Sequence, residues 1–178
     1  MINTSCAFTG HRAEKLPWGY NEADFGCIKL KNILREEIER KIGLGVNVFY
    51  SGGQNGIDLI AGEIVLLLKK EYPFVRLVVV LPFEGIADRW SEGLRDRFFS
   101  VMENCDEEVV LSRKYYDGCY KARNHYMVDR AKHLIAVWDM GLRSSGTYQT
   151  MMYAKMRNRD ITVIDPVTTE TEKIIYQN

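Results

Sequence analysis

Four loops in the sequence combine glycines with residues that can bind an anion. They are Thr9-Gly10-His11-Arg12, Ser51-Gly52-Gly53-Gln54-Asn55-Gly56, Pro82-Phe83-Glu84-Gly85, and the segment from Asp139 through Ser144-Ser145-Gly146-Thr147. Glycines let backbone N–H groups approach an anion closely, and a helix that follows such a loop presents its positive end to the anion. Each loop alone is more simply explained as a turn, but the coincidence of the loops predicts a phosphate site.

Charged side chains in or near these loops could complete such a site. Arg12 could bind a phosphate in a bidentate manner, and His11 could donate a hydrogen bond or titrate. Asp58 follows the second loop, where it could complement the helix dipole, contact a ribose or order the loop at Ser51. Asp139 could contact a ligand hydroxyl or serve as a turn residue.

Further residues on the predicted helices are candidates for ligand contacts. Asn124 could reach the same crevice, while Arg130 could pair with Asp129 or another acid. Four aromatic residues could stack on a base or pack at the rim of the core. They are Trp90, Tyr115, Tyr116 and Tyr120.

The familiar nucleotide and metal motifs are absent. The chain contains no GxGxxG motif, and the segment 141–147 has the glycine spacing of a Walker motif without its lysine, which weakens dinucleotide and P-loop ATPase interpretations. The histidines show no HExxH spacing and the cysteines no CxxC pair, so we expect no metal site and reduced thiols.

Length and composition limit the remaining classes. The 178 residues, 46% of them apolar and 27% charged, predict one domain over residues 1–178. Because 24 basic residues balance 24 acidic ones, a nucleic-acid partner is disfavoured. Apolar runs such as 77–83 are too short to cross a membrane, and the first residues lack a secretion signal, so we expect a cytoplasmic protein without a membrane partner. An apolar face on an outer helix could still form a homo-oligomer.

Strand-like and helix-like segments alternate along the chain. The predicted strands are 5–9, 46–50, 75–81, 109–111, 133–138 and 161–164; the predicted helices are 22–42, 56–71, 89–103, 121–131 and 146–157. This alternation predicts an α/β fold, a Rossmann-like open and mostly parallel sheet with helices on both faces. Ligands bind such sheets at the carboxyl ends of the strands, where the glycine loops fall.

Two helices have informative patterns. In the first, apolar residues at helical spacing predict a buried stripe, and two i,i+4 acid–base pairs predict a solvated opposite face. The stripe is Leu30, Leu34, Ile38 and Ile42, and the pairs are Glu36 with Arg40 and Glu37 with Lys41. In the second helix, the run 64–68 is apolar almost all round and predicts deep burial.

Taken together, the motifs resemble the YpsA-like family of bacterial proteins of unknown function, within the SLOG superfamily of Rossmann-like domains. The resemblance spans about residues 5–165 and is carried by Thr9-Gly10-His11-Arg12, Ser51-Gly52-Gly53 with Gly56-Ile57-Asp58, Asn124 to Arg130, and Leu134-Ile135-Ala136-Val137-Trp138-Asp139 followed by Ser145-Gly146-Thr147. It implies a Rossmann-like fold whose glycine-rich loops bind a nucleotide or nucleotide-derived ligand. Superfamily relatives include the LOG phosphoribohydrolases and DprA, which binds single-stranded DNA.

The resemblance leaves the activity open. The hydrolase relatives carry PGGxGTxxE, and alignment on Gly146-Thr147 places Thr150 at the position of the acid. Glu63, Glu84 or Asp139 could substitute, but no motif places them, so the sequence assigns no catalytic residue. For DNA binding, the suggestive residues are Arg113-Lys114-Tyr115-Tyr116 and Lys121-Ala122-Arg123, which a solvated surface explains more simply.

We therefore expect a sensor or regulator that binds a nucleotide-like ligand, with no other cofactor implied. Phosphate would be held by the backbone amides of Gly52, Gly53, Gly146 and Thr147, with help from the hydroxyls of Ser51, Ser145 and Thr147. Arg12 would neutralise the charge of the phosphate. Asp139 or Asp58 would contact the ribose. The alternatives are a phosphoribohydrolase acting on a nucleoside monophosphate, and a single-stranded DNA-binding or protein-interaction module. The predicted site residues are Thr9, Gly10, His11, Arg12, Ser51, Gly52, Gly53, Asp58, Asn124, Asp139, Ser145, Gly146 and Thr147.

Overall fold

A seven-stranded sheet forms the centre of the computed structural model, which describes residues 2–176. The strands are β1 (Ser5–Gly10), β2 (Val48–Ser51), β3 (Arg76–Leu81), β4 (Glu107–Val110), β5 (His133–Val137), β6 (Asp160–Ile164) and β7 (Thr171–Ile174). They are ordered β4-β3-β2-β1-β5-β6-β7, and all neighbours are parallel except β7, which pairs antiparallel with β6. The predicted α/β class and mostly parallel sheet are confirmed.

Helices cover both faces of the sheet. They are α1 (Phe25–Gly43), α2 (Ile57–Leu68), α3 (Glu92–Asn104), α4 (Cys119–Arg130) and α5 (Gly146–Met156), with short 3₁₀ turns at Ile2–Thr4 and Ala13–Lys15. One buried cluster joins α1, α2 and α3 to one face of the sheet, and a second joins α4 and α5 to the other. Successive residues of β1 alternate between these clusters, as the two-residue period of a strand requires. No helix within residues 2–176 is long and apolar enough to cross a membrane.

Several local features differ from the sequence predictions. The terminal strand β7 was not predicted, because its TEKI sequence has no apolar run. Helix α1 begins at Phe25 rather than near residue 22, since the side chain of Asp24 caps it by accepting a hydrogen bond from the Gly26 N–H at 2.7 Å. The predicted burial of the 64–68 run is wrong in part, because Leu67 is 53% exposed.

The charged face of α1 is only partly solvated. The apolar stripe of α1 is buried as predicted, and Glu36 and Arg40 are exposed. The prediction is wrong for Glu37 and Lys41, which are 4% and 7% exposed. Glu37 Oε2 lies 3.3 Å from the ammonium of Lys173, so the unpredicted strand β7 supplies a cation for this buried carboxylate.

The end of β1 packs closely against the start of α2. A Cβ on Gly10 would collide with the side chain of Ile57, whose N–H donates to the His11 carbonyl at 3.2 Å. Gly56 has φ +87°, and a Cβ there would lie 2.6 Å from the backbone nitrogen of Ala13. Glycine at positions 10 and 56 therefore allows the two loops to meet at the carboxyl edge of the sheet.

We expect Gly10→Ala to lower the free energy of unfolding by about 1–3 kcal/mol, because the added methyl overpacks the contact with Ile57. Gly43→Ala is the matched control: a Cβ at the end of α1 meets no atom within 4 Å, so its effect should be near zero or slightly stabilising. Urea denaturation of both variants measures the difference. Equal stability of Gly10→Ala and the wild type would contradict the packing argument.

We also expect one partly buried histidine to make stability depend on pH. Burial lowers the pKa of His133, the first residue of β5, to about 4; Lys41 and Lys132 act in the same direction, and Asp160 opposes them. The unfolded chain, with an imidazole pKa of about 6.5, then binds this proton at higher pH than the folded chain does. This contribution to stability is complete above pH ~6.5 and is lost as pH falls toward the folded pKa.

Between pH 7.5 and 5 the loss attributable to His133 should be on the order of 2 kcal/mol. Because other groups also titrate, the measurement is the difference in unfolding free energy between wild type and His133→Asn at each pH. The variant should show the shallower pH dependence. Parallel profiles would rule out His133 as the source.

Candidate functional site

A cavity of about 260 Å³ lies at the carboxyl edge of the sheet, beside the end of β1. It is bounded by the loop after β1, the loop before α2, the first turns of α4 and the start of α5. We call it the phosphate cavity, after the ligand that the sequence predicts for this edge of the sheet. It is lined by Thr9, Gly10, His11, Arg12, Glu14, Lys15, Gln54, Asp58, Tyr120, Arg123, Asn124, Ser145, Gly146 and Thr147.

The structure brings together most of the site residues predicted from the sequence. Those that line the phosphate cavity are Thr9, Gly10, His11, Arg12, Asp58, Asn124, Ser145, Gly146 and Thr147. Those that do not are Ser51, Gly52, Gly53 and Asp139. The parallel topology accounts for the convergence, since the carboxyl ends of β1, β2 and β5 meet along one edge.

The glycine loop after β2 supports the cavity from behind. Ser51 Oγ donates to the Asp58 carbonyl at 2.8 Å and accepts from the Gly53 N–H at 3.3 Å. The Gly52 carbonyl accepts a hydrogen bond from Arg123, and a Cβ on Gly52 would collide with that guanidinium. The loop thus orders the start of α2 and makes room for Arg123.

Two residues that line the cavity, Arg123 and Asp58, form a buried ion pair. Arg123 and Asp58 are 5% and 6% exposed, and Arg123 Nη1 lies 3.2 Å from Asp58 Oδ2. Burial raises the pKa of Asp58 while Arg123 opposes the shift; burial likewise lowers the pKa of Arg123 while Asp58 opposes it. Within residues 2–176, the buried Nε of Arg123 has no hydrogen-bond partner. The guanidinium therefore keeps one buried N–H donor that no described group uses.

Two further cations and an aromatic ring stand at the wall of the cavity. Arg12 is exposed, with its guanidinium carbon 4.8 Å from the centroid of the Tyr120 ring. The guanidinium carbon of Arg123 lies 6.0 Å from the same centroid. Cation–π attraction at these distances holds both arginines near one ring, and the ammonium-bearing Lys15 lines the cavity beside them.

Helix α5 begins at the cavity. Its N-cap, Ser145, accepts a hydrogen bond from the Tyr148 N–H at 3.1 Å. The N–H groups of Gly146 and Thr147 belong to the first turn, where no intrahelical acceptor exists, and they carry the positive end of the helix dipole. Gly146 is exposed and a Cβ there would meet nothing within 4 Å, so this end of the helix is open to a ligand.

His11 connects the ends of β1 and β5. Its Nε2 accepts a hydrogen bond from the Asp139 N–H at 3.1 Å, so the neutral ring carries its proton on Nδ1. Burial lowers the pKa of His11, Asp139 opposes this and Lys15 adds to it. The carboxylate of Asp139 accepts from the Gly141 N–H at 2.9 Å, as a turn residue does.

The carboxylates that line the cavity differ from those that the sequence suggests as substitutes for the acid of the hydrolase motif. Glu63 pairs with Arg97 at 2.8 Å, and neither Glu84 nor Asp139 lines the cavity. Glu14 and Asp58 do line it, and Asp58 is the partner of Arg123. Across residues 2–176, no group of three or more His, Cys, Asp or Glu side chains could hold a metal ion.

Five cavity residues were missing from the predicted set: Glu14, Lys15, Gln54, Tyr120 and Arg123. Gln54 lies inside a loop that the sequence already singled out, and Tyr120 had been considered for stacking. The assignment of Arg123 to a solvated surface is wrong, because the residue is 5% exposed. It was missed because no periodic pattern in the sequence marks a buried arginine. The proposed Arg130–Asp129 pair is also wrong, since the Arg130 guanidinium lies 3.5 Å from the Tyr126 ring centroid and Asp129 lies 2.9 Å from Arg157 Nε.

We expect Arg123→Met to lower the free energy of unfolding by about 3–5 kcal/mol, because it leaves the buried carboxylate of Asp58 without its cation. Adding Asp58→Asn removes that carboxylate's charge, so the double variant should recover part of the loss. Urea denaturation of both variants measures this coupling. A double variant no more stable than Arg123→Met would contradict the ion-pair assignment.

Two solved structures are similar to this fold. DNA processing protein A from Helicobacter pylori, described for its single-stranded DNA binding mode, aligns with a TM-score of 0.59 and 18% identity over 94% of this chain and 71% of that one. The structural genomics target TM1055 aligns with a TM-score of 0.53 and 12% identity over 90% and 72% of the two chains. At these identities the likeness concerns the fold alone.

Sequence relatives are closer. The UPF0398 protein BH1768 of Halalkalibacterium halodurans is 28% identical over 164 residues, covering 89% of this chain and 86% of the relative. The UPF0398 protein YpsA of Bacillus subtilis is 24% identical over 156 residues, covering 86% of each. The model of YpsA, described as the YspA SLOG family, matches residues 6–171. The chain therefore belongs to the YpsA family of SLOG proteins.

Proposed function

We propose that this protein binds a phosphate-bearing nucleotide derivative in the phosphate cavity and acts as a sensor or regulator. The observation that carries the proposal is the convergence of Arg12, Lys15 and Arg123 with the start of α5 on one small cavity. Cationic side chains and a helix N-terminus are the two principal means by which proteins hold phosphate.

The charge balance of the lining supports an anionic ligand. Arg123 is matched by Asp58 at 3.2 Å, which leaves Arg12 and Lys15 against the carboxylate of Glu14. Arg12 is exposed and its guanidinium can form two parallel hydrogen bonds to one phosphate. The first-turn N–H groups of α5 would supply further donors without adding a mobile side chain.

Uncharged polar groups near the cations suit a ribose. The side chain of Asn124 is fixed by donating to Thr150 Oγ1 at 2.8 Å, which leaves its amide oxygen and second N–H for a ligand hydroxyl. Thr9 and Gln54, which carry a hydroxyl and an amide, also line the cavity. We assign the ribose contact to these groups rather than to Asp139, whose carboxylate is engaged in its own turn.

Hydrolysis of a nucleoside monophosphate is less well supported than binding. Thr150, at the position where the hydrolase motif carries an acid, is 3% exposed and bonded to Gly146 and Asn124. Glu14 is the cavity carboxylate left without a cation partner among the described ion pairs, and it is exposed and accepts from Tyr20 at 3.3 Å. Among the residues that line the cavity, none is thereby identified as a proton donor for cleavage of a glycosidic bond.

The first test is thermal unfolding against nucleoside monophosphates, ADP-ribose, dinucleotides, cyclic nucleotides and a single-stranded oligonucleotide. A ligand present at 100 times its Kd stabilises the folded state by ~2.7 kcal/mol, which raises Tm by roughly 5–10 °C for a protein of this size. We expect such a rise for a phosphorylated nucleoside and none for the same nucleoside without phosphate. The absence of any rise across the panel would contradict the proposal.

The second test is Arg12→Gln, which should weaken binding of the selected nucleotide by about 10-fold or more because one charge-assisted contact to phosphate is lost. Arg95→Gln is the matched control, since Arg95 is also an exposed arginine, on α3, and does not line the cavity. Calorimetric titration gives both affinities. Release of free base would favour the hydrolase alternative, and salt-dependent binding of the oligonucleotide would favour a DNA-binding role.

A further inference from the structure

A second concavity adjoins the phosphate cavity at the side chain of Tyr120. It has a volume of about 590 Å³ and lies beyond the carboxyl ends of β3 and β4. Tyr120 lines both spaces, so they adjoin at that residue. We call the second space the aromatic groove, and its other lining residues include Phe83, Arg89, Arg113, Lys114 and Tyr115.

Three aromatic rings lead from the cavity into the groove. Tyr120 meets Phe83 edge-to-face with centroids 6.0 Å apart, and Phe83 meets Tyr115 in the same way at 5.6 Å. The Glu84 N–H donates to the Ser112 carbonyl at 3.0 Å, which ties the loop that carries Tyr115 to the loop that carries Phe83. The ring of Tyr115 is thereby positioned, although the residue is 62% exposed.

Because Tyr115 is largely exposed, its ring remains accessible to a ligand beside its contact with Phe83. The phosphate cavity itself is poorly suited to bind a nucleobase. The ring of Tyr120 in its lining has the guanidinium carbon of Arg12 4.8 Å from its centroid. The volume of the cavity lies below the 300–1,000 Å³ that whole small-molecule ligands usually occupy. A nucleotide anchored there must extend outside, and the aromatic groove is the adjoining space.

We propose that the aromatic groove is a base-binding subsite, in which the nucleobase of a nucleoside 5′-phosphate stacks against Tyr115 while its phosphate occupies the neighbouring cavity. This inference rests on the proposed function and specifies its ligand class: a nucleotide with its base, rather than a sugar phosphate. Stacking on an exposed, positioned ring is tolerant of base identity, because every base has a π-face. The lining of the groove includes the basic residues Arg89, Arg113 and Lys114 and the acidic residues Glu84 and Asp88, so its net formal charge is only +1.

The test compares ribose 5-phosphate with AMP, GMP, CMP and UMP by calorimetric titration of the full chain. We expect the nucleotides to bind at least about 5-fold more tightly than ribose 5-phosphate. Tyr115→Ala should remove most of that advantage while leaving the affinity for ribose 5-phosphate unchanged, and Tyr115→Phe should retain it. Tyr116→Ala is the matched control, because Tyr116 is an exposed neighbour that does not line the groove.

The outcomes separate this inference from the function on which it rests. If ribose 5-phosphate and the nucleotides bind equally well, or if Tyr115→Ala leaves nucleotide affinity unchanged, the base subsite is overturned and the phosphate cavity stands. If Tyr116→Ala acts like Tyr115→Ala, the effect belongs to the loop as a whole and the stacking assignment is overturned. If neither class of compound binds the wild-type chain, both proposals fall.

Discussion

The ion pair between Arg123 and Asp58 is the interaction on which the carboxyl edge of the sheet depends. Asp58 lies in the first turn of α2, which packs on one face of the sheet, and Arg123 lies in α4, which packs on the other. Their contact therefore joins the two helical layers across the strand ends. Both groups lose most of their hydration, a cost of several kcal/mol per ion that Coulombic attraction and hydrogen bonds must offset.

The glycine after β2 is best explained by this ion pair. A glycine-rich loop before a helix predicts an anion-binding loop, yet Gly52 and Gly53 do not line the cavity. Gly52 instead leaves the space that the Arg123 guanidinium fills, and its carbonyl is one of the acceptors that the guanidinium requires. Glycine thus has two different roles in the two loops. At Gly52 it allows close packing, and at Gly146 it leaves the end of the helix open.

The sequence predicted the parts of the structure that depend on local periodicity. The first six strands and five helices follow apolar runs and helical stripes, and the convergence of Thr9, Arg12 and Gly146 follows from parallel topology alone. Contacts between elements distant in the chain were missed. Glu37 looks like a solvated helix residue until β7 brings Lys173 to it, and Arg123 looks like part of a surface patch until α2 brings Asp58 to it. Neither partner is visible in the spacing of the sequence.

Thr150 shows how this chain departs from a hydrolase-like arrangement while keeping a well-formed cavity. Its hydroxyl donates to the Gly146 carbonyl at 2.9 Å and accepts from Asn124 Nδ2 at 2.8 Å, which links the first turn of α5 to α4. An ionised carboxylate at this position could accept from Asn124 but could not donate to the carbonyl. The threonine therefore fixes an amide that lines the cavity, and a polar group held in place before the ligand arrives lowers the entropic cost of binding. At this position the chain has a hydroxyl with two fixed hydrogen-bond partners in place of a carboxylate that could transfer a proton.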